Sequence, residues 1–154
     1  HNSWKDFLVG ISARAEMRLD IKYLGKAELF KPPFGFIFKA LGGTPVFRSE
    51  KMNMVDSQVA VINSFEKILI GIAPEGTRKN VDKLKTGFYY IAVGANIPII
   101  RVGFDLVKKE VIIADPFYPS GDFAVDMKTY FIPFFEKMGG IQKNWINNYK
   151  NDIF

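Results

Sequence analysis

Lys67-Ile68-Leu69-Ile70-Gly71-Ile72-Ala73-Pro74-Glu75-Gly76-Thr77-Arg78 is the stretch on which the fold turns. Lys67 to Ala73 is an apolar run of strand length and reads as a buried strand. Pro74 has no backbone N–H to give a sheet and stops it. Gly76 can bring the backbone close to a ligand, and the Arg78 guanidinium can clamp an anion. A glycine next to arginine just past a buried strand therefore predicts a phosphate cradle, with Thr77 inside it. Glu75 repels phosphate directly, so its expected task is to hold an arginine, an N–H group or a hydroxyl. The plain alternative for the segment is a solvated turn.

Outward from this stretch, strands and helices alternate. Ile21 to Leu24 reads as a short strand. Glu28 to Leu41 is Phe-rich, broken at Pro32-Pro33, and resumes as a helix that Gly42-Gly43 ends. Thr44 to Phe47 reads as a strand ending on Arg48. Met54 to Glu66 carries Val55, Val59, Ile62 and Phe65 at helical spacing. Gly87 to Ala95 reads as a helix. Ile97 to Phe104 and Val107 to Ala114 read as strands, a hairpin around Asp105. Phe123 to Met138 reads as a helix broken at Pro133. This alternation predicts an α/β sheet with helices on its faces. With no repeat or linker, one domain over 1–154 is expected.

Composition narrows the partners. The 154 residues carry 21 basic and 16 acidic side chains, a net charge of +5. That favours an anionic partner: a phospholipid surface, coenzyme A phosphates or nucleic acid. No basic stripe with interleaved aromatics offers a stacking platform, which argues against nucleic acid. The absence of cysteine excludes disulfides, a thiolate nucleophile and a Cys-based metal site. No apolar run approaches the roughly 20 residues of a spanning helix. Fifteen Phe is a high count. Phe30, Phe34, Phe36 and Phe38, interleaved with Lys31 and Lys39, suggest an interfacial surface on anionic lipid, with core packing as the alternative.

The single histidine is the first residue, followed by Asn2-Ser3-Trp4-Lys5-Asp6. Ser3 caps a helix expected to reach about Met17, and Ser-x-x-Asp is a capping box. On an ideal helix a five-residue offset is about 140° of rotation. His1 and Asp6 can therefore meet only if His1 lies on the incoming loop and Asp6 reaches back from the first turn. Histidine then accepts a proton and the carboxylate holds its tautomer. The alternative is a capping aspartate beside a frayed terminus. A chain that begins on His1 without an initiator Met is expected to be a fragment, a processed product or the visible part of something longer.

Together, His1-x4-Asp6, Gly42-Gly43-Thr44-Pro45-Val46-Phe47-Arg48, Ala73-Pro74-Glu75-Gly76-Thr77-Arg78 and Ile97-Pro98-Ile99-Ile100-Arg101-Val102 resemble the four motifs of the glycerolipid acyltransferase family, of the lysophosphatidate and glycerol-3-phosphate acyltransferase type. Lys26-Ala27-Glu28-Leu29, Pro33, Gly35, Lys85 and Gly87 extend the resemblance over roughly His1 to Phe104. It implies an α/β domain with a central, mostly parallel mixed sheet, glycerol-3-phosphate acyltransferase-like, whose first strand and helix precede this chain. It implies His1 as general base and Asp6 as its orienter. Arg48, Glu75, Gly76, Thr77 and Arg78 would bind substrate phosphate, and Lys26, Pro98 and Arg101 would border the acceptor or acyl pocket. Two positions depart from the pattern. Ala73 stands where an aromatic is usual, and Arg101 where a second proline is common; the latter adds a cation or sits on a solvated strand face.

The activity so implied moves a fatty acyl chain from acyl-CoA or acyl carrier protein to a lysophospholipid hydroxyl, most simply that of 1-acylglycerol-3-phosphate. A thioester is already activated, so no metal, cofactor or covalent nucleophile is needed. The expected location is cytoplasmic and peripheral, on the inner face of a membrane. A Ser3-based lipid hydrolase is one alternative, weakened by the absence of any Gly-x-Ser-x-Gly elbow. A non-catalytic lipid- or anion-binding domain is the other.

Overall fold

The computed structural model describes residues 21–33, 35–40, 42–46, 53–77, 79–140 and 143–154. The chain divides into two compact units, His1–Ala73 and Pro74–Phe154.

In the first unit a three-stranded parallel sheet has the order β2-β1-β3, with β1 (Ile21–Lys26) between β2 (Gly43–Val46) and β3 (Leu69–Ile70). Tyr23 pairs with Gly43 and Lys26 with Val46 on one side, and Ile21 with Leu69 on the other. Parallel neighbours need crossovers rather than tight turns. A 3-10 turn (Ala27–Phe30) and α1 (Gly35–Ala40) make the first; α2 (Met54–Asn63) lies in the second. A Cβ at Gly35 would fall 1.9 Å from the Phe30 carbonyl oxygen, so only glycine fits where α1 begins. Gly42, at φ +89°, takes the left-handed turn between α1 and β2.

Asn53 caps α2, its side chain accepting from the Asp56 N–H at 2.9 Å. Ile62 and Ser57 are the buried residues of α2. The helix stops at Asn63 rather than running to Glu66, and Phe65, expected on its apolar face, is 38% exposed beyond the end. The strand expected over Lys67 to Ala73 is paired as β3 only over Leu69–Ile70, with one further bond from Gly71 N–H to the Lys22 carbonyl at 2.9 Å. Glycine weakens a strand and Pro74 cannot donate to one, which limits its length.

The second unit contains α3 (Gly87–Ala95), the antiparallel hairpin β4 (Val102–Asp105) and β5 (Glu110–Ile113), a helical run, and α6 (Asn144–Lys150). The hairpin forms where Asp105 suggested. Its Oδ1 accepts the Val107 and Lys108 N–H groups at 3.0 and 2.9 Å, and Lys109 takes φ +58°. Backbone hydrogen bonds, led by that of Lys108, hold the Asp105 carboxyl below its usual range. The strand expected over Ile97 to Phe104 is split: Ile99 bridges Phe117, and β4 starts at Val102. Residues 106–109 form the turn, so β5 is shorter than the expected Val107 to Ala114.

The helical run does not break at Pro133. It goes from α4 (Phe123–Asp126) through a π segment (Met127–Phe131) into α5 (Ile132–Phe135). Pro133 has no N–H for the carbonyl four residues back, and the wider π turn stands just before it. Leu84, Phe117, Met127, Phe131, Ile132, Trp145, Ile146 and Tyr149 form the buried core of this unit. Edge-to-face pairs Phe88–Phe131 and Phe117–Phe131, with centroids 5.6 Å apart, fix its geometry. The α/β reading holds among the described residues, with a parallel sheet in the first unit and an antiparallel pair in the second.

Candidate functional site

The turn at Pro74–Thr77 is built by its neighbours in the second unit. The Lys85 N–H donates to the Pro74 carbonyl at 2.9 Å, which returns the chain over the turn. Gly76 has φ +64°, in the left-handed region that side chains avoid. The Lys85 side chain lies across it: a Cβ on Gly76 would come 2.7 Å from Nζ. The Lys79 N–H donates to Thr77 Oγ1 at 3.3 Å. Glu75 turns inward. Its Oε1 accepts from Lys143 Nζ at 2.6 Å, with the two side chains only 9% and 11% exposed. The result is an exposed left-handed glycine beside a lysine, over a carboxylate whose charge is already paired.

The segment after the turn is zipped to α6. Asn80 and Asn144 exchange hydrogen bonds: Asn80 Nδ2 donates to Asn144 Oδ1 at 2.9 Å, and the Asn144 N–H to Asn80 Oδ1 at 3.0 Å. Asn144 Nδ2 donates to Asp82 Oδ1 at 3.0 Å and Asn148 Nδ2 to the Asp82 carbonyl at 2.9 Å. The Trp145 N–H donates to the Val81 carbonyl at 3.1 Å. The buried Tyr149 hydroxyl accepts the Leu84 N–H at 2.7 Å. Backbone polar groups of this irregular segment are thereby satisfied without a sheet.

Of the residues singled out in the sequence, Glu75, Gly76 and Thr77 fall together in this turn. His1, Ser3, Asp6, Arg48 and Arg78 lie outside the described residues. Lys26 ends β1 opposite Val46, and its side chain is also outside them. Pro98 is exposed, just before the Ile99–Phe117 bridge.

Arg101 is half-buried and tied into the unit. Its guanidinium donates to the Tyr130 and Asp115 carbonyls at 2.8 and 3.0 Å and lies 5.2–5.6 Å from the rings of Phe117, Tyr130 and Phe134. Burial pulls its pKa down. Its carbonyl accepts the Ala114 N–H at 3.0 Å, one residue before β4.

Lys143 is the residue that sequence reading missed. It stands 68 positions from Glu75 in a stretch with no motif, so spacing held no signal for it.

In the first unit Phe36 is 71% and Ile37 42% exposed, with Lys31 and Lys39 exposed beside them in sequence. Phe34 and the Phe38 side chain lie outside the described residues. No helix among the described residues is long and apolar enough to cross a membrane.

Over 82 residues the chain is 34% identical to the 1-acyl-sn-glycerol-3-phosphate acyltransferases of Salmonella typhimurium and Salmonella typhi, a segment that is 50% of this chain and 34% of each relative. The matched segment thus spans about a third of the length of these relatives. No solved structure matches significantly. The model of the family described as Acyltransferase matches residues 1–105 and so takes in His1, Asp6, Arg48 and the whole Glu75 turn. With more than half of its length matched in this way, the chain belongs to the acyltransferase family.

Proposed function

We propose that this chain transfers a fatty acyl group from a thioester, acyl-CoA or acyl-ACP, to the hydroxyl of a lysophospholipid acceptor, with 1-acylglycerol-3-phosphate the preferred one. The observation that carries the reading is the family match from His1 through the Glu75 turn, together with the names of the relatives that the chain resembles over 82 residues. In the proposed reaction the His1 imidazole takes the hydroxyl proton while Asp6 holds the ring in position. The hydroxyl oxygen attacks the thioester carbonyl, a tetrahedral intermediate forms, and its collapse breaks the C–S bond. The proton on His1 passes to the departing sulfur. This leaves an ester, a free thiol and a neutral imidazole. Histidine suits both proton transfers because its ordinary pKa lies near neutrality.

The acceptor phosphate is assigned to Arg48, Arg78 and the Gly76–Thr77 backbone. A left-handed glycine after a strand can turn N–H groups toward an anion, and bidentate arginine adds charge-assisted bonds. Lys26 and Pro98 remain proposed borders of the acceptor or acyl pocket. A peripheral position on the cytoplasmic face of a membrane is proposed from the exposed Phe36 and Ile37 beside Lys31 and Lys39.

The test is a panel of lysolipid and uncharged acceptors assayed with both thioester donors on the full-length protein. Transfer to phosphate-bearing acceptors above the rest is expected. Binding of lysolipid with no transfer from either donor would support a lipid-binding domain in its place.

A further inference from the structure

We propose that Lys143 is a positioning residue for the acceptor phosphate: it holds the Glu75 carboxylate inward and cancels its charge, so that the Pro74–Thr77 turn can receive an anion. This rests on the acceptor reading above and adds to it a residue outside the matched family region, which ends at 105. The difficulty it resolves is electrostatic. Glu75 stands next to the glycine assigned to the phosphate, and an unpaired carboxylate there would repel the ligand. The contact between Lys143 Nζ and Glu75 Oε1 is 2.6 Å, and both side chains are about nine-tenths buried. Exposed lysine–carboxylate pairs contribute little. A desolvated pair differs, because little water is present to screen the carboxylate when the ammonium is removed.

Lys143 also arrives pre-positioned. It is the extended residue (φ −115°, ψ 118°) that enters α6. The next two residues are anchored to the segment after the turn, Asn144 on Asn80 and Trp145 on the Val81 carbonyl. The ammonium is thus delivered by a helix docked on the chain that leaves the turn. It touches the carboxylate and not the assigned anion, which makes its role one of positioning.

The experiment uses full-length Lys143→Met, Lys143→Arg, and Lys143→Met combined with Glu75→Gln. Two readouts are taken. One is KM and kcat with 1-acylglycerol-3-phosphate and with an uncharged monoacylglycerol. The other is calorimetric binding of 1-acylglycerol-3-phosphate in micelles without a donor. Lys143→Met is expected to weaken the phosphate-bearing acceptor by about 10–100-fold, on the scale of one charge-assisted hydrogen bond. KM should carry the effect rather than kcat, and the uncharged acceptor should be spared. Lys143→Arg should restore most of the affinity. Adding Glu75→Gln to Lys143→Met should also recover affinity, because it removes the negative charge that Lys143 offsets.

Equal losses for both acceptors, or no recovery on adding Glu75→Gln, would overturn the proposal and leave Lys143 a scaffold residue. Lys143-dependent binding of 1-acylglycerol-3-phosphate by a wild-type protein that transfers from neither thioester would uphold it and overturn the acyl-transfer reading. Normal transfer by a protein indifferent to Lys143 would do the reverse.

Discussion

Replacing Gly76 with alanine separates two reasons for a glycine at the centre of the turn. The first is backbone. At φ +64° a Cβ crowds the following carbonyl, at a cost of roughly 1–2 kcal/mol. The lower entropy of unfolded alanine offsets roughly 0.4–1 kcal/mol of this. The second is contact: the new Cβ would meet Lys85 at 2.7 Å from Nζ, 2.8 Å from Cε and 3.0 Å from Cδ. Those atoms are the far end of a flexible, exposed side chain, so they can swing away at small cost. The backbone should therefore dominate, with a net loss of about 1 kcal/mol, or about 2–4 °C in Tm for a chain of this size. The assay is thermal unfolding by circular dichroism of Gly76→Ala, Lys85→Ala and the double variant. The alanine cost should be nearly the same in both backgrounds. If Lys85→Ala abolishes it, the clash was the cause and the left-handed backbone argument is wrong.

Two further outcomes follow from the second unit. Tyr89 is fully buried and donates to Asp126 Oδ2 at 2.7 Å; burial first, then that bond, pushes its pKa from 10.0 up to about 12. The folded state thus keeps the proton longer than the unfolded chain, so this stabilisation is complete below pH 10 and is lost as pH rises through about 12. Urea melts across that window should show stability falling, and Tyr89→Phe should flatten the slope. Arg101→Gln should cost about 2–4 kcal/mol, since it loses charged hydrogen bonds to two carbonyls and its place among three rings. The ranking of acceptors should not change; an altered ranking at unchanged Tm would return Arg101 to the acceptor pocket.

What the sequence made legible depends on how local the cause is. α3 covers the expected Gly87 to Ala95, because its dense apolar run is itself the local signal. The Asp105 hairpin was legible because one side chain can close its turn alone. By contrast α6 gave no signal. Asn144, Asn147 and Asn148 are poor helix formers, and the helix is held by packing of Trp145, Ile146 and Tyr149 in the core. The π segment before Pro133 was equally hidden: proline marks trouble in a helix but not which turn absorbs it.

The site divides in the same way. Glu75, Gly76 and Thr77 could be read as one turn because they are consecutive. The inward rotation of Glu75 could not, since its partner Lys143 comes from the end of the chain. Lys143 is a partner of Glu75 beyond the arginine, N–H group or hydroxyl that the sequence suggested. Arg101 was read by its difference from the family and by strand alternation. Its actual surroundings come from Phe117, Tyr130 and Phe134, which no local pattern connects to it.

The proposed mechanism makes His1 the base of an acyl transfer. It is tested most directly by His1→Ala in the full-length protein, with 1-acylglycerol-3-phosphate as acceptor and the better of the two thioesters as donor, while acceptor binding is followed separately. Turnover is expected to fall by about 10²–10⁴-fold, as for loss of a general base, with acceptor binding largely kept. Near-normal turnover in that variant would contradict it.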